Sequence, residues 1–121
     1  MEWNFREGIP IYSQIVEQVK IQIASGAYRP GDKLPSVRDL AVDAGVNPNT
    51  MQKALAQLEQ EGLLHAVRTS GRFITEEEST LKDLKQDLGR KYIKALFESL
   101  SRLGMSKEEI IEAIANYKEE S

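Results

Sequence analysis

The apolar residues near the start of the chain follow a helical spacing. Isoleucine or valine occupies every fourth position from Ile11 to Ile23, and polar residues fill most of the positions between them. This period predicts one helix that buries a single face, with Gln14 on the outward side. Pro10 favours a helix start because the proline ring holds φ near its helical value, and Gly26 marks the end of the helix.

Two shorter helical patterns follow, and they meet at a tight turn around Gly45. Ser36 can cap the first of them, and Gly45 can adopt the left-handed conformation that stops it. Asn47 can cap the second, which continues to Gly62 with apolar residues at spacings of three and four. This arrangement predicts a helix-turn-helix, whose second helix enters the major groove of DNA.

A short β-hairpin is expected directly after the helix-turn-helix. Residues 63–67 and 72–75 are rich in β-prone side chains, and residues 68–71 between them include Gly71, which suits a turn. The order helix, turn, helix, hairpin is that of a winged helix-turn-helix domain, which we assign to residues 1–75.

Residues 76–121 are predicted to form two further helices. Leucine and tyrosine recur in steps of three and four from Leu81 to Leu103, and Ser106 with Glu109 forms a capping box for the last helix. The predicted fold is therefore mainly α with a small β-wing: a winged helix-turn-helix followed by a two-helix C-terminal dimerisation tail.

The tail is assigned to dimerisation because its apolar stripe is longer than a small winged domain can cover. A protein that leaves such a patch exposed risks aggregation, so we expect the tail to join two copies into a homodimer. The alternative is that both tail helices fold back on their own domain as ordinary core. The positions expected at the dimer interface are Leu88, Tyr92, Leu96 and Leu100.

The composition limits the classes of function that the chain can have. It contains no cysteine and one histidine, His65, so it offers neither thiol catalysis, nor an ordinary zinc site, nor a Ser-His-Asp triad. No apolar run approaches the roughly 18 residues that a membrane span needs, and the N-terminus has no signal-peptide pattern. We expect a cytoplasmic protein that is not an enzyme, does not engage a membrane and needs no cofactor.

The net charge of −3 is weak evidence against a nucleic-acid partner. Residues 1–75 carry eight basic and eight acidic residues, whereas residues 76–121 carry eight and eleven, so the acidic excess lies outside the winged domain. DNA binding then requires acidic residues such as Glu59 to face away from the phosphates. A winged helix that serves as a protein-interaction adaptor, without specific DNA readout, remains the alternative.

Most candidate DNA contacts lie on the second helix of the helix-turn-helix and on the wing, and Arg38 lies early in the first helix. Asn49 and Gln52 suit base edges, because an amide can pair with adenine in a bidentate manner. Thr50 and Lys53 suit phosphates, which position a protein without specifying the sequence. Gly71 at the wing tip permits a close approach to the minor groove. The full set is Arg38, Asn47, Asn49, Thr50, Gln52, Lys53, Arg68, Gly71 and Arg72.

Several short motifs at fixed spacing resemble the GntR family of bacterial transcription factors, and the two-helix tail resembles its YtrA-type branch. The motifs are RPG at 29–31, LPSVRDLA at 34–41, GVNPNT at 45–50, EGL at 61–63 and GRFI at 71–74. The resemblance implies a winged-helix DNA-binding domain, a homodimer, and repression at a near-palindromic operator. It also implies DNA contacts from Arg38, Asn49, Thr50, Gln52 and the wing around Gly71.

Two positions depart from the pattern of the GntR family. Pro48 stands where many members carry an arginine, so Asn49 is expected to take a larger share of the readout. Thr69 stands where the wing usually has a glycine, which leaves the geometry of the tip open. No phosphate-binding loop or ligand cluster is visible, so the sequence identifies neither a small-molecule effector nor the operator.

Overall fold

The computed structural model describes residues 1–120, and these form five α-helices and one two-stranded antiparallel sheet. In chain order the elements are α1 (Ile11–Ala24), α2 (Val37–Ala44), α3 (Pro48–Gln60), β1 (Leu64–Val67), β2 (Gly71–Ile74), α4 (Glu78–Ser101) and α5 (Lys107–Asn116). Every element predicted from the sequence is present. The described chain divides into two compact units, one of Met1–Leu84 and one that starts at Lys85.

The core of the first unit forms where α1 and α2 pack against α3 and where α3 packs against β1. Each helix contributes most of the apolar stripe expected from its spacing, but Ile11 at the start of α1 is 38% exposed, so the buried stripe of α1 begins at Ile15. Each large aliphatic side chain that is buried contributes about 1.5–3 kcal/mol. The side chains that are at least 98% buried include Ile15, Val19, Met51, Leu55, Leu58, Leu64 and Ile74. This core holds α3 by one face only.

Local interactions determine where α2 begins and ends and where α3 begins. The Ser36 hydroxyl accepts a hydrogen bond from the Asp39 N–H at 3.1 Å, and the Asn47 Oδ1 accepts one from the Asn49 N–H at 2.7 Å. Between the two helices, Gly45 has a φ of +70°, the left-handed conformation predicted for it. The helix-turn-helix is therefore specified by residues that are close together in the sequence.

The wing is a hairpin in which Leu64 pairs with Ile74 and Val67 pairs with Gly71. A segment of the linker after α1 pairs with the other edge of β2: the Leu34 N–H donates to the Arg72 carbonyl at 2.9 Å, and the Ile74 N–H donates to the Asp32 carbonyl at 2.8 Å. This third segment anchors the base of the wing to the helical core.

The N-terminal residues lie along α1 and are held there by two glutamine side chains. The Gln14 amide accepts from the Arg6 N–H at 2.8 Å and donates to the Arg6 carbonyl at 2.9 Å. The Gln18 amide exchanges the same pair of hydrogen bonds with Asn4, at 3.1 and 2.8 Å. The prediction that Gln14 faces outward is therefore wrong: it is 9% exposed because it satisfies the backbone of this segment.

In the second unit, the capping box predicted for α5 is present. The Ser106 hydroxyl accepts from the Glu109 N–H, and the Glu109 carboxylate accepts from the Ser106 N–H, both at 3.2 Å. Ile110 on α5 is fully buried, whereas Ile111 and Ile114 on the same helix, and Tyr117 directly after it, are more than half exposed. Within residues 1–120, no helix combines the length and the hydropathy that a membrane span requires.

Candidate nucleic-acid interface

The two faces of α3 differ sharply in polarity. Met51 and Leu55 point into the core, whereas Asn49, Gln52 and Lys53 are exposed. The side chains proposed to read DNA are thus accessible to solvent. Asn49 lies in the first turn of α3, the end of such a helix that enters the major groove most deeply.

The start of α3 combines a structural cap with groups that can bind phosphate. Asn47 uses its side-chain oxygen to cap the helix, which leaves its NH2 group as the part that it can offer to a phosphate. Pro48 follows at the first helical position, where its missing N–H costs nothing. Thr50 is half-buried in the first turn, so only part of its side chain is accessible.

Lys53 is restrained by an aromatic ring of α1. Its ammonium lies 3.8 Å from the centroid of the Tyr12 ring, within the range of a cation–π interaction. Tyr12 is half-buried and Lys53 remains exposed, so the contact holds the cation at the α1 side of α3 while leaving it accessible. The sequence-based reasoning missed Tyr12, whose only signal was its position beside the apolar stripe of α1.

Arg38 is an exposed cation in the first turn of α2. The N-terminal end of a helix carries a partial positive charge, so a cation there is locally unfavourable. An external anion such as a DNA phosphate would remove this repulsion. The role of Arg38 in DNA binding stays a prediction.

The two arginines of the wing lie in different environments. Arg68 is exposed in the turn between β1 and β2. Arg72 is directed onto α3, where its Nε donates to the Glu59 Oε1 at 3.1 Å and its Nη1 donates to the Gln52 Oε1 at 3.4 Å. In the free protein, Arg72 is therefore committed to α3, and its contact with DNA stays a prediction.

Glu59 is an acidic neighbour of the residues proposed to read DNA. It lies on the same side of α3 as Gln52, and its charge is offset by Arg72. The requirement that Glu59 face away from the phosphates stays a prediction. The sequence already indicated that Glu59 and Gln52 share a face of α3, since residues seven apart on a helix lie on the same side. The pairing of Glu59 with Arg72 of the hairpin could not be predicted from the local sequence.

Gly71 has a backbone reason to be glycine besides any approach to DNA. Its φ is +115°, which other residues rarely adopt, and an added Cβ would lie 3.3 Å from the Cε of Lys33. Lys33 thus places a cation beside the end of the wing. In the part of the chain that the structure describes, no three His, Cys, Asp or Glu side chains are grouped so that they could hold a metal ion.

Comparison with known proteins gives the same assignment as the geometry. The model of the family described as "Bacterial regulatory proteins, gntR family" matches residues 11–74, which include α1, the helix-turn-helix and the wing. The HTH-type transcriptional regulator YhcF of Bacillus subtilis is 36% identical over 119 residues, which cover 98% of each chain. The HTH-type transcriptional repressor YtrA of Bacillus subtilis is 39% identical over 110 residues, or 90% of this chain and 85% of YtrA.

Solved structures match either most of the chain or a part of it. A GntR family transcriptional regulator from Listeria monocytogenes superposes with a TM-score of 0.87 at 37% identity, over 94% of this chain and 100% of that one. The DNA-binding domain of AraR in complex with operator ORX1 has a TM-score of 0.57 at 30% identity, over 62% of this chain and 96% of that one.

These matches confirm the predicted fold class and the resemblance to the GntR family, including its YtrA-type members. The matched family consists of regulatory proteins, which agrees with the expectation that the chain is not an enzyme. Its DNA-binding domain is a winged helix, in which α3 is the helix predicted to read the DNA. The chain belongs to the gntR family of bacterial regulatory proteins and is a DNA-binding transcriptional regulator.

Proposed function

We propose that the protein is a homodimeric repressor that binds a near-palindromic operator. The observation that carries this proposal is the exposed polar face of α3, with Asn49 and Gln52 accessible beside the helix N-terminus. In this proposal each copy inserts α3 into the major groove and lays its wing against the adjacent DNA. The protein acts in the cytoplasm, where the bacterial chromosome lies.

The proposed contacts divide into those that specify and those that position. Asn49 and Gln52 reach base edges, because an amide group can form hydrogen bonds with the major-groove edges of bases. The remaining side chains hold the phosphates and the minor groove, and thereby set the register of α3. These positioning residues are Arg38, Asn47, Thr50, Lys53, Arg68 and Gly71. Arg72, which contacts Gln52 and Glu59 on α3, is proposed to act at the base-reading face.

The proposed dimer interface lies on the second unit, where large apolar side chains remain exposed. Tyr92 is 45% exposed and Leu96 is 39% exposed, and both belong to the stripe expected to meet the partner. Leu88 on this stripe is only 9% exposed and Leu100 is half-buried, so they would add less buried area to the interface. Exposed apolar residues beyond the stripe enlarge the patch, namely Ile93, Ile111, Ile114 and Tyr117.

Two physical arguments support this dimer. Removing apolar surface from water stabilises an assembly by about 25 cal/mol per Å2, so several half-exposed side chains can drive association before entropy costs. A dimer also solves the problem that one winged helix makes few base contacts, because two half-sites about 34 Å or a multiple apart can be read together.

Repression is proposed from the relatives. YtrA, which matches along most of both chains, is described as a repressor. A dimer bound across a promoter blocks access of other proteins to the same DNA, so repression needs no additional catalytic or ligand-binding site.

Selection of bound sequences from a pool of random duplexes tests the proposal. The expected product is an inverted repeat that binds one dimer, with an affinity that falls steeply as salt concentration rises. Light scattering of the free protein should give twice the mass of the 13.6 kDa chain. An adaptor without specific DNA readout would enrich no sequence at low salt, and that result would refute the proposed function.

A further inference from the structure

One side chain of the wing, that of Arg72, reaches two residues of α3. Its Nε pairs with the Glu59 carboxylate at 3.1 Å, and its Nη1 donates to the Gln52 Oε1 at 3.4 Å. Gln52 and Glu59 are seven residues apart, so they lie on one stripe of the helix about two turns from each other. Ala56 stands between them in the sequence and is exposed.

The ion pair holds the guanidinium in place for its second contact. The Arg72 side chain is 19% exposed, and the Glu59 side chain is 38% exposed. A charge-assisted hydrogen bond in this partly shielded setting is stronger and more directional than a bond between neutral groups. Glu59 thus serves as the anchor that keeps Arg72 beside Gln52.

This contact determines the orientation of the Gln52 amide. A guanidinium has only donors, so the group that faces Arg72 must be the amide oxygen and cannot be the NH2 group. The NH2 group is then directed away from Arg72, on an exposed side chain of the DNA-reading face. Gln52 therefore presents donors outward.

The orientation changes which base Gln52 can read. Bidentate pairing with adenine needs the amide oxygen to accept from N6 while the NH2 group donates to N7. Guanine instead offers two acceptors, N7 and O6, on its major-groove edge. We infer that Arg72 is a specificity-determining residue that acts through Gln52, so that Gln52 selects guanine over adenine. This inference rests on the proposed function.

The same geometry separates Arg72 from the phosphate contacts. Its charge is already offset by Glu59, so it releases few additional counterions when DNA binds. Arg68 lies exposed in the turn of the wing, so we expect its contact with a phosphate to release counterions. Removing Arg72 should therefore change base preference, whereas removing Arg68 should change the dependence of affinity on salt.

The experiment uses the full-length protein and the operator obtained by random-duplex selection. Gln52→Ala first identifies the base pair at which preference is lost. At that pair, the wild-type protein should bind guanine about tenfold more tightly than adenine, within the range of one good base contact. Arg72→Met keeps much of the side-chain stem but removes the guanidinium, so the guanine-to-adenine ratio should fall to about one or below. Its salt dependence should stay that of the wild type.

Two further variants serve as controls. Arg68→Met removes the other wing arginine and should reduce the salt dependence while leaving the guanine-to-adenine ratio unchanged. Glu59→Ala removes the anchor and should shift the ratio in the same direction as Arg72→Met. Circular dichroism of each variant verifies that the fold is retained.

The inference is overturned if Arg72→Met leaves the ratio unchanged, or if Gln52→Ala costs no base preference. It is also overturned if Arg72→Met weakens binding to all sequences equally and lowers the salt slope by about one, the signature of a phosphate contact. A wild-type protein that enriches no sequence instead refutes the proposed function. The two failures are thereby distinguished.

Discussion

Asn47 combines a stabilising role and a proposed binding role in one side chain, and substitutions can separate them. Its Oδ1 caps α3 by accepting from the Asn49 N–H at 2.7 Å, while its NH2 group is available to a phosphate. Asn47→Ala removes both functions. Asn47→Asp keeps the accepting oxygen, removes the NH2 group and adds a negative charge.

General magnitudes for helix capping and for charge at a helix N-terminus give the expected size of each effect. Loss of the cap in Asn47→Ala should cost about 1 kcal/mol, which corresponds to roughly 4–8 °C in the melting temperature of a unit of 60–100 residues. Asn47→Asp should melt at or above the wild-type temperature, because a negative charge at a helix N-terminus contributes about 0.3–1 kcal/mol. Its operator affinity should nevertheless fall by about tenfold or more, since the new charge approaches phosphates.

Thermal melting followed by circular dichroism and operator titration by fluorescence anisotropy at constant salt measure the two effects independently. Asn47→Ser is the neutral control, because it preserves a capping oxygen without adding charge. The capping account is refuted if Asn47→Asp melts as low as Asn47→Ala. Wild-type operator affinity in Asn47→Asp would show that the start of α3 does not approach the DNA backbone.

Three further substitutions test the interface, the wing and the core. Leu96→Glu should convert the dimer to a monomer and weaken operator binding at least tenfold, which light scattering and anisotropy would measure. Lys94→Glu, on the same helix but off the apolar stripe, should leave the dimer and its operator affinity unchanged. A dimeric Leu96→Glu protein would contradict the proposed interface. Arg68→Met should lower the slope of log affinity against log salt by about one, and an unchanged slope would remove the wing tip from the phosphate contacts. Leu58→Ala, at a fully buried position of α3, should lower the free energy of unfolding by about 2–5 kcal/mol in urea titration, and a loss below about 1 kcal/mol would show that the site collapses around the cavity.

The apolar face of the second unit depends on a partner that a single chain does not contain. The spacing of leucines in α4 was sufficient to predict a helix and a surface in need of cover. The structure adds that Leu88 is buried within its own chain while Tyr92 and Leu96 stay accessible. The periodicity could not distinguish these positions, because burial depends on which other helix lies nearby.

The turn between α2 and α3, their caps and the exposed face of α3 were determined by the sequence alone. Ser36, Gly45 and Asn47 act through hydrogen bonds and backbone angles within a few residues, so their effects do not depend on the rest of the fold. Tertiary structure alone decided the partners of Gln14 and Arg72. Their contacts join segments 8 to 20 residues apart, and they form only once the N-terminal segment lies along α1 and the hairpin packs against α3.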